Sequence, residues 1–146
     1  PGAVARAPVS QVDLYPTLAE LAGVRAPANL QGQSLVPMLR DAGAAGRNWA
    51  LTQVTRGSGP RRFFGYSLRT PRWRYTEWNG GEAGRELYDH DADPRELANL
   101  AGDAGHAGVV AELSAQLAVA VKGTFPPDGK TPALREGMWA PNLTDP

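Results

Sequence analysis

At 146 residues the chain has the size of one ordinary domain, or of a domain with a segment of its neighbour. Its 15 basic and 15 acidic residues cancel, which removes the long-range attraction that nucleic acid or an anionic membrane surface would exploit. The absence of cysteine excludes disulfides and thiolate metal sites, and Gly 17 with Pro 13 against a 42% hydrophobic fraction points to a loop-rich fold.

Val9 to Gly23 reads as the end of a strand leading into a helix. Ser10 and Asp13 have capping-box spacing. Leu14, Leu18, Leu21 and Ala22 form one apolar stripe, and Gly23 suits the left-handed position beyond the helix end. A second short helix is predicted across Leu35 to Leu39, with Ser34 as N-cap and Pro37 in its first turn. The Gly/Ala-rich stretch Asp41 to Arg47 is the expected boundary between subdomains. Trp49 to Thr55 reads as a strand and Gly57 to Arg62 as a loop. Phe63–Thr70 and Arg72–Trp78 form a hairpin turning at Thr70-Pro71. In its second arm Trp73, Tyr75 and Glu77 share one face, while Arg72, Arg74, Thr76 and Trp78 share the other. Asn79-Gly80-Gly81 signals a turn, and Glu86 to Asp89 a further strand. A long helix is expected from Asp103 or Gly105 to Gly123, its stripe of Val110, Leu113, Leu117 and Val121 lying on the sheet. The apolar run Ala107 to Val121 is interrupted by Gly108, Glu112, Ser114 and Gln116, so it is not read as crossing a bilayer. Beyond Thr124 come five prolines and an extended tail, expected to be pinned at Phe125 and Trp139.

The chemistry-bearing residues mostly admit structural readings. Asp89, Asp91 and Asp93 alternate as in a calcium loop, but Pro94 and Leu100 stand where that loop needs glycine and glutamate. Asp93 as N-cap, Pro94 as first residue and Glu96 closing a capping box instead predict a short helix after the Asp-Pro turn. His90 and His106 have no second ligand at useful spacing, so no metal site is expected. No Gly-x-Ser-x-Gly elbow supports a serine nucleophile. Arg61, Arg62, Arg69, Arg72 and Arg74 interleave with Phe63, Phe64, Tyr66, Trp73, Tyr75 and Trp78. With zero net charge, this pattern reads as a sheet with an aromatic face on a helix and an arginine-bearing face solvated or paired to carboxylates. A sulfate or carboxylate ligand for those arginines is chemically admissible. Asn142-Leu143-Thr144 fits a glycosylation sequon.

Four segments in order resemble the carboxyl-terminal part of the sulfatases, within the alkaline-phosphatase-like superfamily: Val12 to Gly23, Gly32 to Leu39, the hairpin, and Glu86-Leu87-Tyr88-Asp89 with Asp93-Pro94. Tyr66 to Thr70 and Arg74-Tyr75-Thr76, with Thr52-Gln53 upstream, look most like the iduronate-2-sulfatase branch, and the likeness fades after Ala101. The resemblance implies an α+β fold: residues 1–44 as the end of a large α/β sulfatase domain and a linker, 45–123 as an antiparallel sheet subdomain with its packing helix, and 124–146 as a Pro-rich tail. It implies a parent enzyme that hydrolyses a sulfate ester with a formylglycine, made in a Cys/Ser-x-Pro-x-Arg motif, beside a calcium ion. Those residues are expected on the amino-terminal side of this region, with none of them in the chain, so the chain alone is expected to be inactive, with no catalytic residue, metal ligand or cofactor of its own. By the same resemblance the subdomain borders the substrate cleft, and Gln53 and Arg56 match a cleft-facing loop as sugar contacts. The implied partner is a sulfated small molecule or saccharide, reached through the parent enzyme; neither nucleic acid nor membrane is expected. The family is often periplasmic, secreted or lysosomal, and the chain itself, which opens on Pro1-Gly2, leaves the compartment open. The alternative is a stand-alone anion-, carbohydrate- or protein-binding module. The first helix separates the two readings: a fragment leaves its stripe exposed and open to self-association, whereas a self-contained module buries it.

Overall fold

The computed structural model describes residues 2–125. Trp139 and the sequon at Asn142 lie outside the described residues. Four strands, β1 (Ala50–Arg56), β2 (Phe63–Arg69), β3 (Trp73–Trp78) and β4 (Arg85–Asp89), form one sheet in sequence order, with every neighbouring pair antiparallel. Short turns make this order the natural one, since consecutive antiparallel strands need only tight connections. Before the sheet lie α1 (Leu14–Leu21) and the short α2 (Val36–Arg40); after it comes α3 (Ala107–Lys122).

The helix stripe of α3 does what its spacing predicts. Leu113, Leu117 and Ala120 are buried against Leu68, Tyr75 and Leu87, with Val110 and Val121 packed at the margin. Each fully buried leucine contributes roughly 1.5–3 kcal/mol through lost contact with water. Residues Ala104–Lys122 are long and apolar enough to cross a membrane by length and composition, despite the interruptions that argued otherwise. In this fold, however, their apolar stripe faces the sheet. A polar clamp accompanies the packing: Glu77 Oε1 accepts from Tyr75 Oη and from Ser114 Oγ, each at 2.7 Å, joining β3 to α3. Burial, reinforced by the bond to Glu77, pushes the Tyr75 phenol up to about 12.

The amino-terminal part is organised around Asp13, which is 0% exposed. Its Oδ2 accepts the Ser10 N–H at 2.8 Å, the capping-box half that the sequence anticipates. Oδ1 accepts the Gln33 N–H at 2.9 Å and Arg47 Nη2 at 2.5 Å. Arg47 in turn lies 5.0 Å over the Trp49 ring, next to the start of β1. Thr17 Oγ1 accepts from Leu35 N–H at 2.8 Å and donates to the Asp13 carbonyl at 2.6 Å, tying α1 to the start of α2.

Several expectations are corrected. No strand precedes α1; a single 3-10 turn, Gln11–Asp13, leads into it. The α1 end matches its glycine: Gly23 has φ +67, and the Val24 and Gly23 N–H groups return to the Ala19 and Glu20 carbonyls, a Schellman closure. The N-cap of α2 is Leu35 rather than Ser34, although Ser34 Oγ still accepts the Val36 N–H at 3.2 Å. The helix expected after Asp93 does not form. Asp93 accepts from Leu97 and Ala98 N–H, but Glu96 adopts φ +58 and breaks the turn. The chain is instead drawn along the β4 edge: Asn99 Oδ1 accepts the Leu87 N–H, Asn99 Nδ2 donates to the Arg85 carbonyl, and the Leu100 N–H donates to the Leu87 carbonyl. These bonds satisfy strand-edge groups that a helix would leave unpaired, so tertiary pairing overrides the local signal. Finally, Arg72 leaves the Arg74 face. It lies just before β3, outside the strand's alternation, and binds Asp89 through Nε and Nη2 at 2.9 and 2.6 Å. That fork holds the Asp89 carboxyl below its usual range.

Two outcomes follow for stability. Asp13→Ala strands Arg47 and the Ser10 and Gln33 amides, and is expected to cost about 3–5 kcal/mol in urea denaturation. The Tyr75 phenol ionises near 10 when unfolded and near 12 when folded, so its contribution is whole below about pH 10 and lost as pH rises from there toward 12. Denaturation across this window is expected to show that loss, and Tyr75→Phe to abolish it.

Candidate functional site

With α3 covering one face of the sheet, alternation decides what the other face carries. Thr52, Ser67, Thr76 and Glu86 are direct cross-strand partners and form one row across all four strands. Arg69, Arg74 and Tyr88 form the adjacent row; Val54, Gly65 and Trp78 form the row on the other side. All of these residues but Tyr88, together with Glu96, line a cavity of about 230 Å3. Two larger hollows flank α3; in the first, Tyr75 and Ser114 already meet at Glu77 and Asp103 is taken by the Gly105 amide and His106, with Arg85 at the margin, and the second is lined by Tyr66, Leu117, Val121 and Phe125 with Glu77 and Lys122.

The geometry of the open face is specific. Thr76 Oγ1 donates to Ser67 Oγ at 2.9 Å. Trp78 packs against Gly65, where a Cβ would come within 2.4 Å of the indole. Its Nε1 donates to Glu86 Oε1 at 2.9 Å, and Arg56 Cζ lies 5.3 Å from the ring centroid. Glu96 Oε1 is shared, lying 2.6 Å from His90 Nε2 and 2.9 Å from Arg74 Nε. Arg69 donates through Nη1 to the Thr70 and Trp73 carbonyls. Burial, and then the neighbouring Arg74 cation, push the Arg69 pKa down.

The residues singled out from sequence separate here. Gln53 pairs with Tyr66 and Arg56 with Phe63, so the two sit three residues apart on one strand and point to opposite faces. Both are exposed. Arg56 joins the Trp78 side of the open face; Gln53 lies on the α3 side. Sequence reasoning missed Glu96, whose role depends on a backbone conformation, and Trp78 with Gly65, whose pairing depends on strand register. The lone glycine inside a strand was the available signal for that close approach.

One sequence expectation needs amending. The bare spacing Ser-x-Pro-x-Arg does occur, at Ser58-Gly59-Pro60-Arg61-Arg62. It forms the β1–β2 connection, with Gly59–Arg61 in one 3-10 turn closed by N–H bonds from Arg61 and Arg62 to Ser58 and Gly59, and Ser58 is exposed. Among the described residues no three His, Asp or Glu side chains gather as a metal-holding group. This match is a loop of turn-forming residues.

The profile of the family described as N-sulphoglucosamine sulphohydrolase, C-terminal, matches residues 1–122. The chain belongs to this sulfatase family. It is 36% identical over 111 residues to arylsulfatase K of Xenopus laevis, covering 70% of this chain and 20% of that protein. It is 38% identical over 109 residues to a delta 4,5-hexuronate-2-O-sulfatase of Bacteroides thetaiotaomicron, covering 73% of this chain and 22% of that protein. The solved structure of a 2-O GAG sulfatase superposes with TM-score 0.66 at 34% identity, over 76% of this chain and 24% of its own. The chain thus spans about a fifth of the curated sulfatases it matches, and its four-stranded sheet with a covering helix is the α+β carboxyl-terminal domain of that family.

In this sulfatase domain Gly65→Ala is expected to lift Trp78 from the sheet, at a cost of about 1–3 kcal/mol. Near-UV circular dichroism and urea denaturation check it; an unchanged aromatic spectrum would contradict the contact.

Proposed function

We propose that the chain is the carboxyl-terminal part of a sulfuric ester hydrolase acting on sulfated sugars of the glycosaminoglycan type, and that it supports the fold and borders the substrate cleft without performing the chemistry. The observation that carries this reading is the state of α1. Leu14, Leu18 and Leu21 are 55%, 65% and 59% exposed, so the apolar stripe has no cover within the described residues. A stand-alone module has no reason to leave such a stripe in water, whereas a piece of a larger sulfatase has one. Family membership supports the same reading, and the sugar class is suggested by the hexuronate-2-O-sulfatase and 2-O GAG sulfatase relatives. In this reading residues 1–44 belong to the end of the large domain and 45–123 to the smaller subdomain, with formylglycine and calcium supplied by other parts of the parent protein. Gln53, on the α3 side, and Arg56, beside Trp78, remain the sugar contacts proposed for the β1 end.

Incubating the purified chain with a chromogenic aryl sulfate is expected to give no turnover above a heat-killed control, while the intact parent protein turns it over. Turnover by the chain alone would refute the division of labour; an inactive parent would refute the enzyme reading.

A further inference from the structure

We propose that the sheet face opposite α3 is a binding site for one sugar ring of a sulfated saccharide, with the ring's anionic substituent at Arg69 and Arg74. The ligand class rests on the functional reading above; the site rests on the geometry of the face. A saccharide ring requires donors and acceptors together with an apolar wall, and this face supplies all three within one concavity. The hydroxyls of Thr52, Ser67 and Thr76 form its floor in a single cross-strand row. Because Thr76 donates to Ser67, the Ser67 hydroxyl keeps its own proton to donate outward. Trp78 closes one end, and Glu86, which accepts from Trp78 Nε1 and is also met by the Tyr88 hydroxyl, places a carboxylate acceptor beside it. The volume of about 230 Å3 is below the roughly 300–1,000 Å3 of drug-sized pockets and suits a single ring rather than an oligosaccharide.

The arginine end is where an anion fits. Arg69 and Arg74 are direct cross-strand partners, a like-charge pairing that destabilises a sheet unless something neutralises it. The carboxylate of Glu96 is the counter-charge at hand, and its Oε1 is divided between Arg74 and His90. Arg74 Nε is buried and finds no well-aligned acceptor even though that oxygen is 2.9 Å away. Glu96 itself is held at φ +58, a conformation that an L-residue other than glycine keeps only when its surroundings enforce it. Arg69 Nη1 is committed to the Thr70 and Trp73 carbonyls and Arg74 Nε is buried beside Glu96, so the remaining terminal nitrogens of the two facing guanidiniums are what accommodate a planar carboxylate or a tetrahedral sulfate. A bare anion would use only this end; the hydroxyl floor and the Trp78 wall are what select a sugar ring.

The test uses the intact protein that carries this chain, titrated calorimetrically with a disaccharide containing a 2-O-sulfated hexuronate and with its desulfated counterpart. Arg74→Ala is expected to weaken binding of the sulfated sugar by about ten- to a hundredfold and to remove the preference over the desulfated one. Thr52→Val, on an exposed edge-strand position, is expected to weaken both sugars by a similar small factor; it carries the test if Arg74→Ala does not fold. Glu112→Gln, on α3, is expected to change neither. Folded Arg74→Ala and Thr52→Val proteins with wild-type affinity for both sugars would overturn the site, as would hydrogen exchange showing this face covered by the rest of the protein. Aryl sulfate turnover is read separately: affinity lost by the variants in a protein that hydrolyses no sulfate ester keeps the site and removes the enzyme reading, and the reverse pattern removes the site alone.

Discussion

The carboxylate of Asp13 is the point on which the two parts of this chain are joined. Fully buried, it gathers the Ser10 amide, the Gln33 amide and the Arg47 guanidinium. Those three donors come from the start of α1, the loop before α2 and the approach to β1. A buried charge with that many donors is a fixed node, because moving any one segment leaves a charge or an amide unpaired in a place water does not reach. Arg47 extends the node toward the sheet through its contact with Trp49. The helical segments and the meander have few other reasons to keep a fixed relation, since α1 presents its apolar stripe away from the sheet core rather than into it.

The meander, by contrast, is held by ordinary burial on one face and by polar organisation on the other. Leu68, Tyr75 and Leu87 make a cross-strand row under α3, and Glu77 adds a directional bond that fixes how the helix lies. On the opposite face the same strands carry hydroxyls, arginines and carboxylates in register. The twofold alternation of a strand thus assigns stability to one side and chemistry to the other, so the open face can vary without touching the core.

Much of this was legible in the residues. The four strands, the hairpin at Thr70-Pro71, the Gly23 closure and the α3 stripe follow from alternation, helical spacing and turn chemistry, all local rules. What was not legible depended on distant partners. Asp13 reads as a capping residue because its link to Arg47 spans 34 positions. The segment after Asp93 reads as a helix because Asn99 and Leu100 announce nothing of their pairing with β4. Trp78 reads as one aromatic in a cluster until the register places it on Gly65. Arg72 and Arg74 look equivalent, yet one clamps Asp89 beside the core and the other faces Glu96 across the sheet.

The two edges of the sheet are treated differently. β4 has its outer amides and carbonyls engaged by Asn99 and Leu100, whereas among the described residues β1 pairs with β2 alone. A seven-residue strand with one free flank is a template for another strand. Thr52, Gln53 and Thr55 keep its exposed positions polar, and Arg56 places a charge at its end, but none of them blocks backbone pairing. The chain consequently carries a directional tendency to add strands at β1, so its aggregation would begin at the seam where the helical segments hand over to the meander.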